Sequence, residues 1–300
     1  MELSQLKYVL AVAEAGNFTR AAAKSHIAQP SLSQQIMKLE RELGHKLFHR
    51  LGRKAVLTEA GIALVDRARR ILSEVEDTTK ELGDSASFER QIIVGAISTV
   101  APYLLPNLIA RCRKRYPNIQ VNIREDFKAN LVRSLLDGEL DLVLASPPIA
   151  ESNILVEALW SESLILAVAR DHPLALKPRV TAADLADQTF ILLGSLSSLT
   201  AEVRRFCGDH HFEPKIGSRC AQVATVKALV GIGEGISILP SGARSEEDDG
   251  ALAYVTMEDA KPIREIVVLR HMQRYQSRGA EQFLGLLRER RAESAAKAKA

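Results

Sequence analysis

HIAQPSLSQQIMKLERELG, residues His26–Gly44, decides how the N-terminal part of this chain is read. Leu32, Ile36, Leu39 and Leu43 step by four, three and four, which predicts a helix with one buried stripe. Pro30 suits the first turn, where its missing N–H leaves nothing unsatisfied. The other side holds Ser31, Gln34, Gln35 and Lys38, with Gln29 and Ser33 near the start. A face of serine and glutamine is not the usual choice for a solvated helix. These side chains suit base edges and phosphates: glutamine pairs bidentately with adenine, and serine reaches either class of base or a phosphate.

The flanking residues complete a pattern. Leu6, Val9, Leu10 and Ala13 recur at helical spacing, and Gly16 can end that first helix. Thr19 is the expected N-cap of a short second helix over 20–25, with Phe18 before it as a staple. A short helix, a tight turn and a helix with a polar N-terminal face form a helix-turn-helix. LFHRLGRKAVLT then predicts a hairpin with Gly52 at its turn. Arg50, Arg53 and Lys54 near its tip could meet phosphates or a minor groove. On the hairpin alone, solvated cations would be the simpler reading. Residues 19–57 carry a charge of +6 in a chain whose net charge is +3, so a polyanion partner is expected at this end only.

NFTRAAAKSHIAQPSLSQQIMKLERELGHKLFHR followed by LTEAG resembles the winged helix-turn-helix of LysR-type transcriptional regulators, without a gap from Leu6 to Gly61. The resemblance implies that Gln29, Ser31, Ser33 and Gln34 face the major groove of double-stranded DNA at promoter half-sites, and that Arg53 lies on the wing. Pro30, Lys38, Arg50 and Lys54 join them as candidate DNA contacts.

From Thr58 onward, positions 58, 61, 65, 68, 72, 75, 79 and 82 form an imperfect heptad seam. Thr58 is a plausible N-cap and Gly83 a plausible stop. Such a helix would span roughly 37 Å. Its seam could pack on its own domain, but pairing with a second subunit would keep it dry and would suit two half-sites. The family resemblance implies the same homodimer, usually assembled further into a homotetramer, and RNA polymerase could be a further partner. The expected boundaries are 1–57 for the winged helix-turn-helix, 58–83 for the linker helix, 84–90 for a hinge and 91–300 for an effector-binding domain.

Beyond Gln91, apolar runs of strand length alternate with helical patterns. Strands are expected at IIVGAI, IQVNIRE, DLVLAS, SLILAVA, TFILL, GISILP and REIVVLR. Helices are expected over 101–113, 130–137, 199–207, 223–232 and 277–291. Continuous strand hydrophobicity suggests a mainly parallel α/β sheet covered on both faces, with ligands at the carboxyl ends of strands. GAISTVAPYLLPNLIARCRKRYPNIQVNI, LLDGELDLVLA and ALVGIGEGISILP resemble the regulatory half of the same family, which is two-lobed like periplasmic binding proteins. Lobe one would hold about 91–161 and 264–300, and lobe two about 162–263. Ser98 and Thr99 end the first strand of this half, where hydroxyls and free N–H groups can hold a polar small-molecule effector or simply cap a helix. Ser195, Ser197 and Ser198 take the corresponding place in lobe two, with Lys128 and Gln222 as further cleft candidates.

TVAPYLLPNLI and GRKAVLT bring the chain nearest to the OxyR-like, peroxide-sensing branch of the family. By that resemblance Cys207 stands at the resolving-cysteine position. The reactive position, nine residues earlier, is Ser198. A serine cannot form a sulfenic acid, so a redox switch would need Cys220 as substitute or Ser198 to be an engineered replacement of a cysteine. The alternative is that Cys207 is a small buried core residue. CGDHH has no second pair at ligand spacing, so no metal is expected. GIGEG is not followed by a helix, so it reads as a helix stop and not a dinucleotide site. No nucleophile–base pattern or catalytic carboxylate pair stands out, so neither an enzyme nor a cofactor is expected. Three cysteines form no disulfide framework, and no apolar run is long enough for a membrane span, so the cytoplasm is the expected compartment. A solute-binding protein is disfavoured by the poor export signal and by the extra N-terminal domain.

Overall fold

The computed structural model describes residues 1–52, 54–83, 90–257 and 261–297. They divide into two compact units, Met1–Ser87 with Leu136–Glu139, and Phe88–Leu135 with Leu140–Ala300.

In the first unit α1 (Leu3–Ala15), α2 (Phe18–Lys24) and α3 (Gln29–Leu43) precede a hairpin of β1 (Phe48–Leu51) and β2 (Lys54–Leu57) and the long α4 (Glu59–Gly83). Gly16 ends α1 at φ 61°, a left-handed conformation that costs glycine little. The cap of α2 is Asn17 and not Thr19: the Asn17 Oδ1 accepts the N–H groups of Thr19 at 2.8 Å and Arg20 at 3.0 Å. A side-chain acceptor just outside the helix reaches N2 and N3, and Asn17 occupies that place because the helix starts two residues earlier than Arg20. Pro30 sits in the first turn of α3. Leu32, Ile36 and Leu39 are fully buried, whereas Leu43 at the last turn is exposed. Glu40 is buried because its carboxylate accepts the N–H of Leu47 at 2.8 Å, tying α3 to the hairpin.

Thr58 caps α4, accepting the Gly61 N–H at 3.0 Å. A Cβ at Gly61 would stand 2.1 Å from the Leu47 carbonyl oxygen, so the helix start can approach this backbone only with glycine there. Gly61→Ala should therefore lower stability by about 2–3 kcal/mol, as overpacking does, measured by urea unfolding. An unchanged midpoint would mean the contact yields freely.

The seam of α4 is used differently from the expectation. Val65, Ala68 and Leu72 are buried, and Ala68 and Leu72 pack with Leu6 of α1. Intramolecular packing therefore occupies this part of the stripe. Ile71 and Val75, one turn apart, remain exposed. Leu82 carries a side chain outside the described residues, as do residues 84–89 of the expected hinge.

The second unit opens with β3 (Arg90–Ala96), α5 (Ala101–Arg115), β4 (Ile119–Glu125), α6 (Lys128–Leu136) and β5 (Leu142–Ala145). The strand β6 (Ile154–Ala169) follows, then α7 (Pro173–Leu176), β7 (Thr189–Leu193), α8 (Ser198–Asp209), β8 (Lys215–Cys220), α9 (Val223–Gly231), β9 (Ser237–Pro240) and β10 (Leu252–Val255). β11 (Ile263–His271) and α10 (Arg278–Lys297) complete it. The main sheet runs β10-β6-β11-β5-β3-β4, with β9 also on β6. Among the described strands, parallel ladders join β3 with β4 and β5, and β7 with β8, with single parallel bridges at Val180–Met257 and Phe190–Ile236. The pairs made by β6, β9, β10 and β11 are antiparallel, which corrects the expectation of a mainly parallel sheet. The reason is topological. β6 spans 16 residues: its first part pairs with β11, and its last part pairs with β9 and β10. The chain leaves along β6 and returns along β11, so the two crossings run in opposite directions side by side. One apolar core is drawn wholly from residues between Leu164 and Met257.

Candidate functional sites

Around α3, Pro30, Ser31, Gln34 and Lys38 are exposed and Gln29 is half-buried. Ser33 departs from this face. It is only 6% exposed, and its hydroxyl accepts the Arg50 guanidinium at 3.0 Å. It precedes Gln34 on a helix whose apolar stripe includes Leu32 and Ile36, and that register turns Ser33 inward. Arg50 also stacks on Phe18, 4.5 Å from the ring centroid, and is thereby held beside α3. Lys38 pairs with Glu2 at 3.0 Å. Gly52 turns the hairpin at φ 59°, and Lys54 is exposed next to it. Arg53 lies outside the described residues. A groove of about 590 Å³ runs between the starts of α2 and α3 and the hairpin, with Arg20, Arg50 and Lys54 on its walls. Such a cation-walled groove suits phosphate oxygens.

In the second unit the expected residues gather at strand ends. Ser98 and Thr99 follow β3, and Lys128 opens α6 after β4. Ser195 and Ser197 lie between β7 and α8, Ser198 is the first residue of α8, and Gln222 lies between β8 and α9. Ser98 and Ser198 are half-buried, Ser197 is buried, and Ser195 and Gln222 are exposed. Lys128 Nζ donates to the carbonyls of Ser146 at 3.2 Å and Pro148 at 3.0 Å. Burial holds its ammonium below the usual lysine range, partly offset by Glu202 and Glu151.

Thr99 has a different task from the one expected. Its hydroxyl and its carbonyl each accept a bond from Arg264 at 2.8 Å. Arg264 also donates to Glu162 Oε2 through Nε at 2.9 Å and Nη2 at 2.8 Å. Glu162 Oε1 in turn accepts the Gly242 N–H at 3.0 Å. This cluster stands where β6 and β11 pair, Arg264 opposite Glu162. The sequence reading missed both residues. The available signal was an acid and a base at the two expected crossings between lobes.

Two more residues escaped notice. Ser146, after β5, is fully buried, and Glu202, in α8, is 9% exposed. Burial pushes the Glu202 carboxyl above the usual range, opposed by Arg264, Ser146, Arg205 and Lys128 in that order. The start of α8 therefore faces the end of β5, which brings the two sets of strand ends together.

Cys207 and Cys220 are buried in one apolar core. Burial pushes the Cys207 thiol up to about 11 and raises that of Cys220 as well. Raised thiols are poor nucleophiles at neutral pH. Among the described residues, no three His, Cys, Asp or Glu side chains group to hold a metal, and no helix is long and apolar enough to cross a membrane.

Residues 3–62 match the profile of the bacterial regulatory helix-turn-helix proteins of the lysR family, and residues 85–292 match the LysR substrate binding domain. The DNA-binding transcriptional dual regulator OxyR of Escherichia coli K12 is 34% identical over 271 residues, covering 89% of this chain and 88% of that protein. Among solved structures, a point variant of full-length OxyR from Pseudomonas aeruginosa is similar at a TM-score of 0.78 and 28% identity, covering 96% of this chain and 98% of the other. Full-length CbnR complexed with its target DNA is similar at 0.72 and 27%, covering 96% and 99%. On these matches the chain belongs to the LysR family: it is a transcriptional regulator with an N-terminal helix-turn-helix and a C-terminal effector-binding domain.

Proposed function

We propose that α3 enters the major groove of promoter half-sites. Ser31 and Gln34, with Gln29 and Pro30 at the helix start, would address bases there. Arg50, Arg53, Lys54 and Lys38 would meet the phosphates. The observation that carries this reading is the exposed Pro30-led face beside the cation-walled groove. Ser33 acts one layer back, by holding Arg50. The boundaries 1–57, 58–83, 84–90 and 91–300 describe the working parts. α4 pairs with its copy in a second subunit through the strip that includes Ile71 and Val75. The dimer or tetramer works in the cytoplasm, and RNA polymerase reads the resulting DNA geometry.

The C-terminal unit works as two lobes of the periplasmic-binding-protein type, 91–161 with 264–300 and 162–263. A small effector binds at the strand ends near Ser98, Lys128, Ser195, Ser197, Ser198 and Gln222, and Thr99 positions Arg264. Its differential affinity for two lobe poses shifts their populations, and the change repacks the subunits on DNA. This reading, and not thiol oxidation, is supported by the buried cysteines and their raised thiols.

A mobility-shift series tests both parts, using full-length protein and an operator selected from a random duplex pool. Affinity should fall by about 100-fold or more between 50 and 200 mM salt, because phosphate contacts release counterions. Peroxide should change neither the shift nor the labelling of Cys207 and Cys220. A flat salt response would remove the DNA reading. A peroxide-dependent shift with lost thiol labelling would replace the effector with a redox switch.

A further inference from the structure

On the flank of α3 turned toward α1, a chain of amides fixes which end of Gln35 faces outward. Each helical residue turns about 100° from the last, so Gln35 lies off the line of Gln34 and beside Ser31 and Lys38 at i−4 and i+3. Gln5, on α1, is completely buried. Its Oε1 accepts the Glu2 N–H at 2.9 Å, and its Nε2 donates to Gln35 Oε1 at 3.2 Å. A backbone N–H can only donate, so the Gln5 amide must turn its oxygen toward Glu2. Its NH2 group then meets Gln35, whose own amide must turn its oxygen inward. Gln35 is half-buried, and its Nε2 has no hydrogen-bond partner among the described residues.

That orientation decides what Gln35 can recognise. Bidentate pairing with adenine needs the oxygen and the nitrogen of one amide on the same base edge. With Oε1 committed to Gln5, Gln35 offers donors alone. The outermost line of a helix in the major groove meets base edges, and its flanks meet the phosphate walls of a groove about 12 Å wide. Ser33 occupies the flank toward the hairpin, where it holds Arg50 at 3.0 Å, and Gln35 occupies the flank toward α1. Resting on the reading that α3 enters the major groove, we propose that Gln35 Nε2 donates to a DNA phosphate oxygen and that the buried Gln5 is its positioning residue. Phosphate oxygens only accept, so an amide that can only donate suits them. The contact carries no sequence information, unlike that of Gln34, and no charge, unlike that of Lys38.

The test combines Q35A in the full-length protein with a methylphosphonate scan of the selected operator, each substitution removing one phosphate charge. Q35A should weaken binding by roughly tenfold on selected and scrambled duplexes alike, as the loss of a hydrogen bond to a charged acceptor does, with the salt slope unchanged. One methylphosphonate position in each half-site should weaken the wild type but cost Q35A nothing further. Q5M, which fills the same space without an amide, should weaken binding by a smaller factor and have no added effect beside Q35A. Q35E still accepts from Gln5 but has nothing to donate, so it should bind no better than Q35A. Urea unfolding shows whether each variant folds; if Q5M does not, Q35A and Q35E at the half-buried position still decide. A loss confined to the selected operator would make Gln35 a base reader. Wild-type affinity in Q35A, or methylphosphonate costs that all persist in it, would make the two amides a tie between helices only. Either result overturns the proposal and leaves α3 in the groove. If the wild type itself shows no salt-dependent binding, the reading of α3 falls and the proposal with it.

Discussion

Glu162→Ala should lower the stability of the C-terminal unit by about 3–5 kcal/mol, the cost of leaving one member of a buried ion pair alone. For a unit of this size that is roughly a 10 °C fall in Tm. The Arg264 side chain is 1% exposed and that of Glu162 is 15% exposed. Removing the acid strands a guanidinium that cannot reach water. Removing the base by Arg264→Met leaves a carboxylate that still accepts the Gly242 N–H at 3.0 Å and can turn outward. Glu162→Ala should therefore be the more damaging of the two, and the double variant should be less damaging than the sum. Urea unfolding of the four proteins measures this directly. Equal losses in the single variants, or a loss below about 1 kcal/mol for Glu162→Ala, would mean the pair behaves as a surface salt bridge. The pair also joins the end of β3 to the β6–β11 crossing through Thr99. Weakening it should loosen the region on which effector binding acts.

That cluster marks the limit of what was legible in the residues. The helix-turn-helix could be read because its signals are local: Gly16, Pro30 and the Leu32–Ile36–Leu39 spacing each act within a few positions. β7 was found in full because TFILL is apolar without a break from Phe190 to Leu193. β6 was only half seen. SLILAVA is continuous, but the preceding ILVEALWSE mixes exposed and buried positions and reads as a loop edge. β8 and β10 were missed for the same reason, since KIGSRC carries Lys215, Ser218 and Arg219 without an apolar run and LAYV is short and half-buried. Ser146, Glu162, Glu202 and Arg264 come together only through non-local pairing, 102 residues apart in the case of Arg264 with Glu162. No local pattern announces such a contact. Ser33 failed in the opposite way. Its residue type suited DNA, but its helical register put it beneath Arg50.

Gln34→Ala should lower affinity for the selected operator by about 5- to 150-fold, the worth of one bidentate base contact, with little change on scrambled duplex. Gln34 is exposed on α3, one residue beyond the buried Ser33, so its amide can reach a base edge without unpacking the helix. Ser33→Ala should behave differently. It removes the 3.0 Å bond that holds Arg50, while the stacking of Arg50 on Phe18 remains. The arginine then loses orientation toward the phosphates, so affinity should fall modestly and by the same factor on both duplexes. Ser31→Ala should resemble Gln34→Ala with a smaller effect, since a hydroxyl makes one bond where an amide makes two. Binding titrations of the three variants on both duplexes at one salt concentration separate the roles. If Ser33→Ala were the variant that lost discrimination, or if Gln34→Ala weakened both duplexes equally, the face of α3 assigned to the bases would be the wrong one.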